Sequence, residues 1–176
     1  MTDGPFLTTE RLELWKPQAG DLPDRVRLLE GDGMMQFLGT IGPDPKAQHD
    51  KLLQHAGSWA LYDYGTFSVR RRGEGDIIAT GGIFHSWRGF GKGLDDVAEA
   101  GWIVRQDCWG QGVAGEMMRA SLAWFDTAHG PRRVACMIEA GNTASEKVAG
   151  SLGFVKYDSH EEEGGAAVNL FERLPG

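Results

Sequence analysis

The stretch Trp109-Gly110-Gln111-Gly112-Val113-Ala114-Gly115-Glu116 decides the fold of this 176-residue chain. It holds three glycines and separates an apolar run, 100–104, from a long amphipathic run, 113–129. Glycine adopts positive φ without a Cβ clash, so such a loop brings backbone N–H groups close to a ligand. Placed before a helix, these groups and the positive end of the helix dipole favour a phosphate or diphosphate. The stretch therefore predicts a loop that binds a phosphate-bearing ligand.

Two kinds of phosphate-bearing ligand fit such a loop. Gly110, Gly112 and Gly115 spell G-x-G-x-x-G, the dinucleotide pattern, and Glu139 ends the next apolar run, where a ribose-binding acid would lie. In a dinucleotide fold, however, the strand leads directly into the first glycine, whereas here 105–109 intervene. Only one strand-helix-strand unit follows the loop, fewer than a doubly wound sheet needs. The surroundings thus disfavour a nicotinamide or flavin site.

Four motifs in a fixed order point to another ligand. They are Ala98-Glu99-Ala100-Gly101-Trp102-Ile103-Val104, the glycine loop 109–116, Asn142-Thr143-Ala144-Ser145, and Leu152-Gly153-Phe154. Together with the opening segment 7–14, they resemble the GNAT acyltransferases, and specifically the branch of ribosomal-protein N-terminal acetyltransferases (the Rim type). The resemblance covers most of the chain. It implies acetyl-coenzyme A (acetyl-CoA) as co-substrate, with the diphosphate on the glycine loop.

Length and composition limit the class of protein. The chain is long enough for one domain with a sizeable core, and we assign 1–176 to a single N-acetyltransferase domain. No run approaches the ~20 apolar residues of a membrane span, and the polar start 1–5 lacks the regions of a signal peptide, which predicts a cytoplasmic protein. Cys108 and Cys136 are too few for a disulfide framework, and no Cys/His cluster has zinc spacing, so no metal site is predicted. Cys136 is expected in the core.

The acidic balance of the chain bears on its partners. A net charge of −7 argues against nucleic-acid binding, which relies on basic surface. The basic segments Arg70-Arg71-Arg72 and Arg132-Arg133 are more typical of solvated turns than of binding patches. Acidic surface would also steer cationic acceptors toward the protein.

Hydrophobic periodicity and turn residues predict the order of elements. Strands are expected at 7–14, 66–71, 77–84, 98–104, 133–138, 154–157 and 168–173, and helices at 19–30, 44–62, 113–129 and 143–151. Early hairpins followed by a strand-helix-strand unit predict an α/β fold with a central mixed, mostly antiparallel sheet flanked by helices. The resemblance adds a β-bulged strand 98–104 that splays from strand 133–138.

Acetyl transfer from a thioester to an amine requires a group that takes the proton of the ammonium. Glu99 is the candidate base, directly or through a water, because its Ala-Glu-x-Gly-Trp setting matches the family's acidic position. The alternative is an exposed strand carboxylate without a catalytic role. Asp95 and Asp96 are possible substitutes, although Gly93 and Leu94 place them in a mobile loop.

The departing thiolate needs a proton donor. Many relatives in the family use a tyrosine four residues before the Gly-Phe pair, and that position here is Ala149. Ser145, one helical turn earlier, is the remaining candidate, since in this branch a serine there points toward the sulfur. The alternative is an ordinary residue of a first helical turn, where serine satisfies backbone N–H groups.

The same resemblance implies the other contacts of the coenzyme. Asn142 would hold the pantetheine arm, with a turn-forming asparagine as the alternative. The backbone of Ile103 and Val104 would pair with pantetheine amides, and an N–H of the same strand would bind the thioester carbonyl oxygen. Tryptophan at the first loop position is familiar in the Rim-type branch. The loop residues expected to contact the coenzyme are Trp109, Gly110, Gln111, Gly112, Val113, Ala114 and Gly115.

The acceptor amine is the part of the site that the sequence determines least. Loops 31–43 and 85–96 would rim it with Met34, Met35, Phe37, Phe84, His85, Trp87, Arg88 and Phe90. Aromatic residues with one cation suit a peptide N terminus and equally a small amine. We therefore predict an acetyl-CoA-dependent N-acetyltransferase that acts by direct attack, with a peptide N-terminal amine as acceptor, and a homodimer is compatible with this assignment. Acetylation of a small-molecule amine and a non-catalytic acyl-CoA-binding module are the alternatives.

Overall fold

One sheet runs through the residues that the computed structural model describes, which are 4–37, 42–161 and 163–176. Its eight strands are β1 (Leu7–Thr8), β2 (Leu12–Trp15), β3 (Thr66–Arg71), β4 (Ile77–Trp87), β5 (Asp95–Val104), β6 (Val134–Glu139), β7 (Val155–Glu161) and β8 (Ala167–Arg173). They lie in the order β1-β2-β3-β4-β5-β6-β8-β7, and all neighbours are antiparallel except β5 and β6. The predicted mixed, mostly antiparallel sheet is confirmed.

The sheet is flanked by the helices α1 (Leu22–Leu28), α2 (Pro45–Tyr62), α3 (Val113–His129) and α4 (Thr143–Ser151). Helix α2 begins where the Asp44 carboxylate accepts the Ala47 N–H at 2.8 Å and Pro45 occupies the first turn. Helix α3 is bounded by Gly112 and Gly130, both with a φ of 76°. Local residue chemistry thus explains where these two helices start and where α3 stops.

The two faces of the sheet are used differently at β4 and β5. Side chains alternate between faces along a strand, and the register places Phe84 opposite Glu99 on one face. Gly81 lies on the other face, toward α3, where a Cβ would be 2.8 Å from the Met117 methyl group. On the first face, the Phe84 ring lies 6.5 Å from the ring of His55 on α2. Helix α3 therefore packs directly on one face, while the Glu99 face turns toward α2.

Several elements have different bounds from those predicted. The predicted strand 7–14 is two strands, because the chain turns at Thr9, whose hydroxyl accepts the Leu12 N–H at 3.0 Å. The predicted helix 19–30 is a 3-10 turn, Ala19–Asp21, followed by the shorter α1. Strands β4 and β5 extend into the loop predicted over 85–96, and β7 continues past its predicted end. The other predicted helices and strands are found.

The parallel strands β5 and β6 separate along their length. They pair at two positions, Glu99–Ala135 and Ala100–Cys136, although both strands continue for several residues beyond them. The predicted splay is confirmed. The register of β5 against β4 is continuous through the predicted strand 98–104, and the bulge lies earlier, at Asp96. The irregularity therefore belongs to the start of β5 and leaves its splayed end regular.

No helix among the described residues is long and apolar enough to cross a membrane. The single domain over 1–176 and the cytoplasmic location stay predictions.

Candidate active site

A cleft of about 770 Å³ opens where β5 and β6 separate. One wall is formed by β5, β6 and the start of α4, and includes Trp102, Ile103, Ile138, Asn142 and Ser145. The other wall is formed by α1, α2 and the end of β4, and includes Arg25, Lys51, His55, Ser86 and Arg88. Glu99 lines the same cleft. The two predicted catalytic residues, Glu99 and Ser145, are thus brought to one cavity.

The glycine loop ends in an open helix terminus. Gly110 and Gly112 have φ of 72° and 76°, the left-handed conformation that favours glycine. Gly112 is the N-cap of α3, and no side chain in the described part of the chain caps this end. The N–H groups of Val113, Ala114 and Gly115 have no intrahelical partner, because a first turn has no preceding carbonyls. A diphosphate suits this position, since it would accept these N–H groups at the positive end of the dipole.

Arginines surround the glycine loop. Arg11 Nη1 donates to the Gln111 carbonyl at 2.8 Å, and Arg71 Nη2 donates to Gln111 Oε1 at 2.7 Å. Arg119 folds over the first turn of α3, with Nη1 3.0 Å from where a Gly115 Cβ would lie. The interpretation of Arg71 as part of a solvated turn is therefore wrong. These cations give an acidic protein the local positive potential that an anionic coenzyme requires.

Arg11 also joins the first hairpin to α3. Its Nε and backbone N–H donate to the Glu116 carboxylate at 2.6 and 3.0 Å, and the Thr9 hydroxyl donates to it at 2.7 Å. Burial opposes ionisation of Glu116, but the hydrogen bonds from Thr9 and Arg11 outweigh it and lower the pKa of this carboxyl. Arg11 and Glu116 lie 105 positions apart, so sequence spacing gives no sign of this contact.

Two side chains of the predicted coenzyme loop bond within the protein. The Trp109 indole N–H donates to the Val104 carbonyl at 2.8 Å, and its ring lies 3.1 Å from where a Gly33 Cβ would be. Gln111 Nε2 donates to the Asp107 carbonyl at 3.1 Å. Both side chains therefore shape the loop, and their contacts with a coenzyme stay a prediction.

The backbone of β5 directs polar groups toward the gap at alternate residues. Arg105 donates its N–H to the Ile78 carbonyl on β4 at 2.8 Å. Because this direction reverses at each residue of an antiparallel strand, Ile103 also points to β4, whereas Trp102 and Val104 point to β6. The backbone of Ile103, predicted to pair with pantetheine, therefore faces β4, the backbone of Trp102 faces the gap, and Ile103 lines the cleft.

Glu99 is buried and ion-paired. It is 2 % exposed, and both carboxylate oxygens accept from Arg88, with Nε–Oε2 at 3.0 Å and Nη2–Oε1 at 2.5 Å. The exposure expected in the alternative interpretation is therefore wrong, while the catalytic role of Glu99 stays a prediction. A carboxylate has roughly four lone-pair positions, so this pair leaves room for a further hydrogen bond from an ammonium or a water. Arg88 fixes the orientation of the candidate base.

Asp95 and Asp96, expected in a mobile loop, are residues of β5. Asp95 accepts the N–H groups of Gly89 and Gly91 at 2.5 and 2.9 Å, which closes the connection between β4 and β5. Asp96 occupies the bulge with a φ of 54°, and its carboxylate lies 2.9 Å from His85 Nε2. Neither aspartate is among the described residues that line the cleft.

The start of α4 places two predicted residues at the cleft. Asn142 is the N-cap, since its Oδ1 accepts the Ser145 N–H at 3.1 Å. This cap uses the carbonyl oxygen of Asn142, so its NH₂ group is the part that could donate to a pantetheine carbonyl. Ser145 lines the cleft from the first turn. Ala149, where relatives have tyrosine, is 0 % exposed and packs in the core.

Cys136 and His55 line the cleft without being suited to react. Burial and the nearby Glu99 carboxylate raise the pKa of the Cys136 thiol, so it stays protonated at neutral pH. Burial, together with Arg25 and Lys51, lowers the pKa of His55 to about 3, so its ring stays neutral. Neither residue therefore supplies an activated nucleophile, which agrees with direct attack on the thioester.

The predicted aromatic rim of the acceptor side is found in part. The predicted residues that line the cleft are Phe84, His85, Trp87 and Arg88. Met34 is buried, and the ring of Phe90 stacks on His160 at 3.8 Å. The side chains of Met35 and Phe37, and residues 38–41, lie outside the described part of the chain.

Sequence reasoning missed the polar residues that α1 and α2 contribute to the cleft, namely Arg25, Lys51 and His55. They lie on two helices that the chain separates by a loop, and no motif links them. The signal that could have found them is an arginine at the centre of α1 among apolar neighbours, 28–29. A buried arginine is unusual enough to mark a position of interest.

Residues 11–155 match the family model described as an acetyltransferase (GNAT) domain. Among solved structures, the chain is similar to a Bordetella pertussis protein assigned to the GnaT acetyltransferase family, with 29% identity, a TM-score of 0.82, and 95% of this chain and 98% of that one covered. It shares its fold with the ribosomal-protein-S5-alanine acetyltransferase of Vibrio fischeri (17% identity, TM-score 0.76, 96% of each chain covered). It also shares it with the microcin C7 self-immunity acetyltransferase MccE, solved with acetyl-CoA and AMP (11% identity, TM-score 0.76, 98% and 97% covered).

Proposed function

Because this chain belongs to the GNAT acetyltransferase family, whose acetyl donor is acetyl-CoA, we propose that it acetylates the N-terminal amine of a peptide by direct attack on the thioester. The observation that carries the proposal is the cleft at the β5–β6 gap, which Glu99 and Ser145 both line. The coenzyme enters this cleft from the glycine loop, and the amine approaches from the side of α1 and α2.

The protein holds the coenzyme through backbone groups and nearby cations. The N–H groups of 113–115 bind the diphosphate, with Arg11, Arg71 and Arg119 supplying positive charge around it. The pantetheine arm lies along the free edge of β5, where Trp102 directs backbone polar groups into the gap and Val104 directs its N–H, since the Val104 carbonyl already accepts from Trp109. Asn142 donates to the arm from the start of α4. This arrangement supports acetyl-CoA and not a dinucleotide, because the gap gives an extended amide chain a strand edge to pair with.

The reaction begins with removal of a proton from the acceptor ammonium. Glu99 takes this proton, directly or through a water, while Arg88 holds the carboxylate in place. The free amine then attacks the thioester carbonyl, so that a C–N bond forms and the carbonyl oxygen becomes an oxyanion. The N–H of Trp102 faces the gap and stabilises that oxyanion.

Collapse of the intermediate breaks the C–S bond and releases the thiolate of coenzyme A. The nitrogen loses its second proton as the amide forms. Ser145 relays this proton to the sulfur, or hydrogen-bonds the thiolate while water protonates it, since the buried Ala149 position offers no acid. A thiol of pKa ~8.5 is a fair leaving group, so this step needs less help than deprotonation of the amine. Ser145 is therefore the weaker of the two catalytic assignments.

The acceptor end of the cleft supports a peptide because it opens beside exposed apolar side chains. Leu61 and Trp87 are 78% and 72% exposed and line the cleft, where they could contact residues that follow the acetylated one. A small-molecule amine is the second candidate. The buried cation Arg25 favours it, because this arginine could bind an anionic group of such a molecule. A homodimer stays a prediction, for which sedimentation of the purified protein is the test.

Release of free thiol from acetyl-CoA, measured across a panel of peptides and small amines, tests the proposal. Turnover with peptides, lost when their N terminus is blocked, would support it. Turnover with small amines alone would assign the second candidate. Coenzyme binding by calorimetry without turnover of any amine would instead indicate a non-catalytic acyl-CoA-binding module.

A further inference from the structure

The acceptor end of the cleft is cationic, although the protein as a whole carries a net charge of −7. Arg25, Lys51 and Arg88 line it together with one buried carboxylate, that of Glu99, which Arg88 already pairs. Burial lowers the pKa of Lys51, and the charges of Arg88 and Arg25 lower it further, whereas Glu99 opposes them. The other carboxylate of the cleft lining, Glu139, ends β6 on the opposite wall, so three cations outnumber two carboxylates and local charge would attract an anion instead of a cationic acceptor.

Arg25 is a buried cation whose guanidinium makes few hydrogen bonds. It is 3% exposed, and its Nη2 lies 3.0 Å from Nδ1 of His55. Since arginine only donates, Nδ1 accepts, and the neutral ring of His55 brings no countercharge. Among the described residues, Nε and Nη1 of Arg25 have no hydrogen-bond partner.

The carboxylate that attracts Arg25 does not supply hydrogen bonds to Nε and Nη1. Asp21 attracts Arg25 electrostatically, but its Oδ1 accepts from Arg70 at 3.0 Å and its Oδ2 accepts from Ser68 at 2.6 Å. Buried arginines are almost always paired, and unfilled donors of a buried charge are costly. A guanidinium left in this state at the wall of a cleft is suited to an anion that arrives with a ligand.

We infer that the acceptor carries a carboxylate close to its amine, and that Arg25, assisted by Lys51, binds this carboxylate at the acceptor end of the cleft. The inference rests on the proposed function, because it identifies the anion as part of the acetylated molecule. Guanidinium and carboxylate form strong, oriented hydrogen bonds, so the contact would also orient the amine relative to Glu99. The carboxylate comes either from an amino acid or from an acidic side chain next to a peptide N terminus.

Matched acceptor pairs test this inference and distinguish the two sources. One pair is L-leucine with L-leucinamide, and the other is the tripeptide amide Ser-Glu-Ala with Ser-Gln-Ala. For the correct source, kcat/KM should be ~10–100-fold higher with the carboxylate, the discrimination expected of a charged hydrogen bond in a buried site. Arg25→Gln should bring that ratio close to one. Arg27→Gln, an exposed change on the same helix, is the matched control and should keep the ratio.

Equal rates within both pairs, or an unchanged ratio in Arg25→Gln, would overturn the inference and leave the proposed acetylation standing. Arg25→Met serves if the glutamine variant is unstable, because an apolar side chain of similar length removes the unpaired donors.

Product binding provides a readout that needs no turnover. With coenzyme A present, calorimetry should show a higher affinity for N-acetyl-leucine or N-acetyl-Ser-Glu-Ala amide than for the matching neutral amide. Arg25→Gln should remove this difference in affinity. Carboxylate-dependent binding without turnover of any amine would support the anion site and count against the proposed function. No preference in either assay would count against the site itself.

Discussion

Replacing Glu99 by glutamine would remove the negative charge of the cleft while preserving the size of the side chain. In the native protein both carboxylate oxygens accept hydrogen bonds from Arg88. The amide of glutamine has one oxygen, so its NH₂ group would face one of the two Arg88 donors. The variant therefore loses the candidate base and also one of the two hydrogen bonds that pair Arg88 with residue 99.

The two losses have separate magnitudes. Removing a positioned base should lower kcat by ~10²–10⁴-fold, which corresponds to roughly 3–5 kcal/mol of barrier. Breaking a buried ion pair costs ~3–5 kcal/mol, but the Arg88 side chain is 33% exposed, so we take about 2 kcal/mol after solvent screening. In a domain of this size that loss lowers Tm by ~4–8 °C.

The assay combines thiol release at 25 °C with thermal unfolding and calorimetric binding of coenzyme A. Glu172→Gln is the matched control, because Glu172 accepts from Arg133 Nε at 2.6 Å outside the cleft. It should lower Tm less than Glu99→Gln, since both partners are partly exposed, and leave kcat unchanged. A folded Glu99→Gln protein with near-native kcat would refute the base assignment and leave Glu99 as the structural partner of Arg88.

Three further predictions follow from the loop, α4 and the first hairpin. Gly112→Val should abolish coenzyme A binding, measured by calorimetry, because a β-branched residue at φ 76° would strain the loop and crowd the diphosphate. The control is Gly73→Val, at φ 75° in an open turn, which should lower stability and leave the affinity for coenzyme A unchanged. Ser145→Ala should lower kcat by ~10-fold or less with unchanged acetyl-CoA affinity, and an unchanged kcat would mean that water protonates the thiolate. Glu116→Gln should lower the free energy of unfolding at pH 7 by about 1 kcal/mol, measured as a lower Tm. Because the folded pKa of Glu116 is lowered, its contribution is present above the unfolded pKa of ~4.3 and disappears as pH falls through the folded value, so an effect of equal size at pH 7 and pH 3 would contradict this account.

The sequence predicted the parts of the site that one continuous segment encodes. The glycine loop and the start of α3 depend on neighbours a few positions away, and the family resemblance implied that Glu99 and Ser145 serve one site. The N-cap role of Asn142 was not predicted. The pair of Glu99 with Arg88 was not predicted, because it depends on the register between β4 and β5. Likewise, Arg71 was assigned to a solvent-exposed turn, since nothing local indicates that β3 directs it toward Gln111.

The acceptor end was hardest to predict because it depends on tertiary packing. Arg25 and Lys51 reach the cleft only once α1 and α2 lie beside the sheet. The net charge of the chain even suggested the opposite sign for this end, since an overall charge says nothing about how charges are distributed between surface and cleft. The end of the first strand at Thr9 was not predicted for a related reason. The turn there is stabilised by a contact with Glu116, which is distant in sequence.

The separation of β5 from β6 divides the sheet into two parts. Strands β1 to β5 form one part, strands β6, β8 and β7 form the other, and two residue pairs between β5 and β6 join them. A coenzyme whose arm bonds across the gap would act as a removable cross-link between these two parts. Ligands that bind the native state selectively stabilise it in proportion to the logarithm of their concentration. We therefore expect amide hydrogen exchange at the splayed ends to slow when coenzyme A binds. In a cell depleted of acetyl-CoA, the protein would then be more vulnerable to proteolysis, and its abundance would follow the supply of its own co-substrate.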